Sequence, residues 1–265
     1  MKTAAKAGAK LVGVCHLPPL PGSPRAGARA MRDAVDRAAR DAKALAQAGF
    51  DAIVIENYGD APFFKDDVPD VTVAAMTACA LAAREVAPAL ALGINVLRND
   101  GCAALAVAVA SGASFVRINV LSGARVTDQG LVEGRAAEVL RERARLAKHV
   151  RIFADVAVKH SAPLAARDFE DEIDELAERA LADAILVTGS ATGAPVDEGD
   201  LDRAMRASRV PVFVASGATE ASVAGLLAKC DGVIVGTAIK RARRAGGPVD
   251  SVLAKRFVRA ARHAR

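Results

Sequence analysis

The chain has 265 residues, of which 52% are hydrophobic and 25% are charged, with a formal net charge of +5. This mixture supplies enough apolar surface for a buried core, which excludes an intrinsically disordered protein. The apolar residues are mainly alanine and valine and only 3% are aromatic, so an α/β fold is favoured over an all-β fold, and the length predicts one domain over residues 1–265.

Eight short runs rich in β-branched residues recur along the chain, each followed by a loop and a longer amphipathic stretch. The predicted strands cover 11–16, 51–56, 90–96, 115–120, 150–155, 183–188, 210–215 and 232–236. The predicted helices cover 30–48, 71–85, 101–110, 134–147, 169–180, 201–207, 221–228 and 250–264. Each predicted strand is therefore paired with a helix.

Strict alternation of strands and helices indicates a parallel sheet with right-handed crossovers, and eight units can close into a cylinder without exposed sheet edges. An open doubly wound sheet would need a glycine-rich phosphate turn after the first strand. The chain instead continues with the proline-rich segment 16–22. The sequence therefore predicts a single (β/α)8 TIM barrel.

Polar residues end most of the predicted strands, at positions whose alternation points them into the barrel. These residues are His16, Glu56, Asn95, Asn119, Asp155 and Thr188, with Arg117 on the same face as Asn119. A buried ion network would explain one or two of them, but not the whole set. We predict acid/base roles for His16, Glu56 and Asp155, and substrate contacts for Asn95, Arg117, Asn119 and Thr188.

Lys159 and His160 follow the fifth predicted strand. The lysine can supply a Schiff-base amine, although binding of a phosphate or carboxylate is the commoner role, and the histidine can carry a proton. We include both residues among the catalytic candidates. No spacing of histidine, cysteine or carboxylate residues specifies a metal site, so we predict no metal and no cofactor.

Small residues follow the last three predicted strands, at Gly189-Ser190, Ser216-Gly217 and Gly236-Thr237. Such turns allow main-chain N–H groups to approach an anion, and paired turns after the seventh and eighth strands are a common phosphate site in barrels. Alternatively, the glycine in each loop only allows a tight turn and no ligand binds there. We predict that these six residues bind phosphate.

The remaining sequence features predict a cytoplasmic protein without a transmembrane segment. The longest apolar run, 71–83, is too short to span a bilayer, and the four cysteines form no C-x-x-C pair. Basic residues concentrate at 241–244 and 255–265 without interleaved aromatics, which is typical of a solvated helix face. We therefore predict no nucleic-acid partner.

Long phrases of the chain resemble the BtpA/SgcQ family, namely those at 14–24, 55–63, 92–100, 115–120, 127–130, 153–155, 158–160, 187–190 and 235–237. The resemblance implies a barrel akin to the ribulose-phosphate-binding enzymes. One branch of that family is named for photosystem I biogenesis and another lies among carbohydrate-catabolism proteins. Asn57 and Arg98, which belong to these phrases, are added as substrate-binding candidates.

Two functions are expected from these observations. The first is an enzyme that acts on a phosphorylated sugar or nucleoside-like molecule. The alternative is a non-enzymatic biogenesis factor for photosystem I or another membrane complex, which would contact the membrane peripherally through the basic segment 255–265. The alanine-rich outer helix faces also permit a homo-oligomer, which we expect.

Overall fold

The computed structural model describes residues 11–165, 167–189 and 193–262, and its strands confirm the predicted barrel. In chain order they are β1 (Leu11–His16), β2 (Ala52–Glu56), β3 (Ala91–Asn95), β4 (Phe115–Ile118), β5 (Ala124–Thr127), β6 (Gly130–Glu133), β7 (Arg151–Val156), β8 (Ala162–Pro163), β9 (Ala184–Val187), β10 (Val212–Val214) and β11 (Gly232–Val235). Eight of them close a parallel barrel in the order β1-β2-β3-β4-β7-β9-β10-β11.

Helices cover the outside of the barrel, one after each barrel strand. They are α1 (Ala30–Ala48), α2 (Asp70–Val86), α3 (Gly101–Ser111), α4 (Ala136–Leu146), α5 (Phe169–Asp174), α6 (Glu198–Ala207), α7 (Val223–Lys229) and α8 (Ser251–Arg262). Gly49 ends α1 with a φ of +90°, and its N–H donates to the last-turn carbonyls of the helix. Every helix in the described part of the chain is too short or too polar to traverse a bilayer.

The barrel interior is filled by alternate residues of each strand. Val12 and Val14 of β1, Ala52 and Val54 of β2 and the aromatic residues of other strands form one buried cluster. A Cβ atom on Gly93 would lie 2.1 Å from Cζ of Phe115, so β3 needs glycine there to leave room for the phenyl ring. The same alternation brings His16 and Glu56 to the carboxyl end of the barrel, above the apolar layers.

A small three-stranded sheet, which the sequence did not predict, lies at the carboxyl end of the barrel. The antiparallel hairpin β5–β6 follows β4, and β5 also pairs with β8, which follows β7. The turn at Asp128-Gln129-Gly130 ends with Gly130 at a φ of +91°. These residues are the signal from which the hairpin could have been predicted.

A buried ion pair fixes the loop between β11 and α8, residues 240–249, against α1. Lys240 is fully buried, and its Nζ lies 3.3 Å from Oδ2 of Asp41. The other carboxylate oxygen of Asp41 accepts a hydrogen bond of 2.9 Å from the N–H of Val249. Arg37, also on α1, donates to the carbonyl of Gly246 at 3.0 Å. The β11–α8 loop is therefore attached to α1 at three points.

Candidate functional site

The predicted polar residues converge at the carboxyl ends of β1–β4 and β7, with Arg117 between two carboxylates. Its Nε donates to Oδ1 of Asp155 at 3.1 Å and its Nη2 to Oδ2 at 2.9 Å. Its Nη1 lies 3.9 Å from Oε2 of Glu56. Burial lowers the pKa of Arg117, but Asp155 and Glu56 raise it more, so the guanidinium keeps its charge.

Two asparagines extend this network around the barrel. Asn119 donates to Oδ2 of Asp155 at 2.8 Å, and Asn95 donates to Oδ1 of Asn119 at 3.1 Å and to the carbonyl of Arg117 at 2.8 Å. The side chain of Asp155 is 0% exposed and accepts three hydrogen bonds. Asp155 therefore holds Arg117 and Asn119 in place.

His16 is a buried, neutral imidazole beside Glu56. The N–H of Gly246 donates to its Nδ1 at 3.2 Å, so the ring proton lies on Nε2, which is 3.7 Å from Oε1 of Glu56. Burial and then the cations Lys240, Lys159 and Arg117 lower the pKa of His16 well below its usual value. The ring also packs against the tilted ring of Tyr58, with a centroid distance of 4.4 Å. The histidine therefore presents an N–H donor to the barrel opening.

Lys159 and His160 lie on the loop after β7. Burial, and after it the charge of Arg117, lowers the pKa of the Lys159 ammonium. Burial and then Lys159 likewise lower the pKa of His160, whose side chain is mostly exposed. Within the described residues, no carboxylate lies within 4 Å of the Lys159 ammonium. The amine can therefore lose its proton more readily than a surface lysine.

Two cavities meet at these side chains. The larger, of 1010 Å³, extends outward to the loops that carry Tyr58, Arg98 and Asp128. The smaller, of 160 Å³, lies beneath the loops after β10 and β11. Four residues line both cavities: His16, Glu56, Arg117 and Lys159. A molecule that filled both cavities would therefore pass beside all four.

The glycines after β9 and β10 are explained by packing between the two loops. A Cβ atom on Gly217 would lie 2.1 Å from the carbonyl oxygen of Ala194, and one on Gly189 would lie 2.4 Å from the same atom. The Ser216 hydroxyl accepts from the N–H of Gly189 at 2.6 Å and donates to Ala194 at 3.2 Å. Ser216 and Gly217 still line the small cavity, whereas Ser190 lies outside the described residues.

The turn after β11 faces the site directly. A Cβ atom on Gly236 would lie 3.2 Å from Cε1 of His16, so a side chain there would point toward the imidazole. Gly236 and Thr237 both line the small cavity, together with Arg243. Residues 241–244 are exposed as expected, but Arg243 and Arg244 reach the two cavities rather than a solvated helix face.

The other predicted substrate contacts have different surroundings. Asn57 is buried, accepts from the N–H of Leu97 at 2.7 Å and donates to Asp60 at 3.1 Å, so it joins two loops and does not line either cavity. Arg98 lines the larger cavity. The hydroxyl of Thr188 is buried and has no hydrogen-bond partner among the described residues.

Several residues at the cavities were not predicted: Arg25, Tyr58, Asp128, Arg243, Arg244 and Gly246. They belong to loops whose course depends on distant contacts, although Tyr58 and Asp128 lie within the family phrases quoted above. In the described ranges, no group of three or more histidine, cysteine or carboxylate residues is placed to bind a metal ion.

His16 is expected to make the protein less stable as the pH falls. Its folded-state pKa lies below the unfolded value of 6.5, so below that pH the unfolded chain binds a proton that the folded chain does not. The free energy of unfolding then decreases by up to about 1.4 kcal/mol per pH unit. Urea unfolding between pH 7.5 and 5 should show a shallower decrease for His16→Gln. His149→Gln, at an exposed position, is the control, and an unchanged slope for His16→Gln would contradict this assignment.

The fold resembles phosphate-substrate barrels of known structure. Thiamine phosphate pyrophosphorylase from Pyrococcus furiosus superposes with a TM-score of 0.59 at 15% identity, over 96% of each chain. A synthase of geranylgeranylglyceryl phosphate from Thermoplasma acidophilum, in complex with sn-glycerol-1-phosphate, gives 0.59 at 16% identity, over 98% of this chain and 95% of that one. At this level of identity, the likeness establishes the barrel fold.

Sequence relatives are much more similar. A protein from Thermococcus kodakarensis without an assigned function is 45% identical over 96% of both chains. The photosystem I biogenesis protein BtpA from Synechocystis is 44% identical over 94% of this chain and 87% of the relative. The model of the BtpA family matches residues 7–263. The chain belongs to the BtpA family.

Proposed function

We propose that this protein is an enzyme that acts on a phosphorylated sugar or nucleoside-like molecule. The observation that carries the proposal is the position of His16, Glu56, Arg117 and Lys159, which line both the small cavity and the large one. A phosphate in the small cavity would place the adjoining carbon skeleton beside these groups. Side chains that carry protons at the junction of two cavities are arranged for chemistry on a bound molecule.

The small cavity suits a phosphate by size and by charge. Turns after two neighbouring strands line it with the main chain of Gly217 and Gly236, and Thr237, Lys159 and Arg243 add a hydroxyl and two cations. Solved barrels that act on phosphorylated substrates share the fold. These features support phosphate as the group that this cavity binds.

Proton transfer is the chemistry for which the junction is equipped. The neutral His16 can donate its Nε2 proton to an oxygen of the substrate, and Glu56 can accept a proton from a neighbouring carbon. Lys159, with its lowered pKa, can serve as a base or as an amine that attacks a carbonyl. Asp155 acts through Arg117, which it orients. Isomerisation and aldol-type cleavage of sugar phosphates both use such groups.

Replacing Gly236 by aspartate should abolish phosphate binding, because the new carboxylate would point into the small cavity beside His16. Gly236→Asn has nearly the same shape without the charge and is the matched control. We expect inorganic phosphate and sugar phosphates to raise the melting temperature of the wild-type protein and of Gly236→Asn, but not of Gly236→Asp. A screen in which no phosphorylated compound stabilises the wild-type protein, or in which both variants respond equally, would contradict the proposal.

The name of the Synechocystis relative supports a second role, in the biogenesis of a membrane complex. The basic residues of α8 would supply the membrane contact. Two of them already have partners within the chain, because Arg256 pairs with Glu220 at 3.0 Å and Arg262 donates to the carbonyl of Gly49 at 3.3 Å. The geometry therefore supports the enzyme more strongly than the assembly factor.

A further inference from the structure

Arg98 lies across the barrel opening from the proposed phosphate cavity. In the closed order β1-β2-β3-β4-β7-β9-β10-β11, strands β3 and β10 are four positions apart in either direction, so they face each other. Arg98 follows β3, and the turn at Ser216-Gly217 follows β10. The large cavity reaches Arg98, and the small cavity reaches the turn. A ligand that extended through both cavities would have its two ends near these elements.

Among the described residues, the buried guanidinium of Arg98 has no counter-ion. The residue is only 6% exposed, and its Nη2 donates to the carbonyl of Lys159 at 3.0 Å. In that part of the chain, its Nε has no hydrogen-bond partner and no carboxylate lies within 4 Å of it. A buried cation that is neither paired nor fully hydrogen-bonded is costly, and an anionic ligand would compensate for that cost.

Cations also outnumber carboxylates along the large cavity. Its lining contains Arg25, Arg98, Arg117, Lys159 and Arg244, against Glu56 and Asp128. Arg117 is already paired with Asp155, but Lys159 has no carboxylate within 4 Å in the described ranges. A cleft lined by an excess of one charge attracts molecules of the opposite charge. The large cavity is therefore suited to an anion that is separate from the phosphate in the small cavity.

We infer that the substrate carries two anionic groups, with its phosphate in the small cavity and a second phosphate or carboxylate bound by Arg98 in the large one. The inference rests on the proposed function, because it takes the small cavity as the phosphate site. The planar guanidinium can offer two parallel N–H donors to either group.

Binding measured by isothermal titration calorimetry tests the inference with two matched pairs of probes. These are fructose 1,6-bisphosphate against fructose 6-phosphate, and ribulose 1,5-bisphosphate against ribulose 5-phosphate. A charge-assisted contact with the second phosphate should make each bisphosphate bind at least about tenfold more tightly than its partner. Arg98→Met should remove this preference, so that each bisphosphate binds no more tightly than its monophosphate partner. Arg98→Lys, which keeps the charge but loses the planar fork, should retain a smaller preference and gives a second test if the methionine variant does not fold.

The outcomes separate this inference from the proposed function. If wild-type protein binds both members of each pair with equal affinity, or if Arg98→Met keeps the preference, the second anion site is wrong while the phosphate cavity stands. If no probe binds, or if Gly236→Asp and Gly236→Asn bind inorganic phosphate equally, the phosphate cavity fails and the two-anion substrate fails with it.

Discussion

Replacing Arg117 by methionine is expected to lower the free energy of unfolding by about 3–5 kcal/mol, because it leaves a buried carboxylate without its cation. The side chain of Asp155 is 0% exposed, and Arg117 supplies two of its three hydrogen bonds. Methionine keeps an unbranched apolar stem and adds no polar atom, so no new polar group competes for the partners of Asp155. Urea unfolding monitored by circular dichroism would measure the change.

A second substitution should restore part of this stability. In Arg117→Met/Asp155→Asn, the charge of Asp155 is also removed and Asn119 still has an oxygen to donate to, so we expect the double variant to be more stable than the single one. Arg145→Met, which breaks an exposed pair with Glu142, is the matched control and should leave the stability nearly unchanged. Equal effects of Arg117→Met and Arg145→Met would show that Arg117 has no structural role.

Lys240→Met, in the β11–α8 loop, is expected to lower the free energy of unfolding by a similar amount, about 3–5 kcal/mol. Lys240 is fully buried, and its loss would leave the Asp41 carboxylate, among the described residues, with only the N–H of Val249 as a partner. Because the same loop carries Gly246 to His16, the variant should also disturb the imidazole. Denaturant unfolding measures the first effect, and the chemical shifts of the His16 ring measure the second.

A control for Lys240→Met shows whether the loss of stability comes from the burial of the ion pair or from the removal of any lysine charge. Lys229→Met removes an exposed ammonium that pairs with Glu198 at 2.9 Å, and it should leave the stability nearly unchanged. In Lys240→Met/Asp41→Asn, the Val249 N–H keeps an acceptor and no charge remains buried, so stability should partly return. A double variant that is less stable than Lys240→Met alone would argue that the ion pair is not the cause.

The barrel could be predicted from the sequence because the patterns that indicate its strands and helices lie within short segments of the chain. Each strand alternates with a period of two, and this alternation placed His16, Glu56, Asn95 and Asp155 at the carboxyl end of the cylinder. The three-stranded sheet was missed because β8 has only two residues and pairs with a strand that lies more than thirty residues earlier. Pairing over such a distance leaves no periodic signal.

The surroundings of the site depend on contacts that sequence patterns do not encode. The fixed tautomer of His16 comes from Gly246, 230 residues away along the chain. The sequence suggested that Gly217 belongs to an anion-binding turn. The close approach of the Ala194 carbonyl is by itself a sufficient reason for glycine at this position. Residue types and the alternation along each strand thus predicted which side chains lie together. The hydrogen-bond partners that set their protonation could be identified only from the structure.

The shared strand β5 links two loops that would otherwise be independent. One edge of β5 pairs with β6, and the turn between these two strands carries Asp128, which lines the large cavity. The other edge pairs with β8, which begins three residues after Lys159. Main-chain pairing therefore connects the hairpin to the loop that carries Lys159. We expect substitutions in the hairpin to alter the position of the Lys159 amine while leaving the barrel strands unchanged.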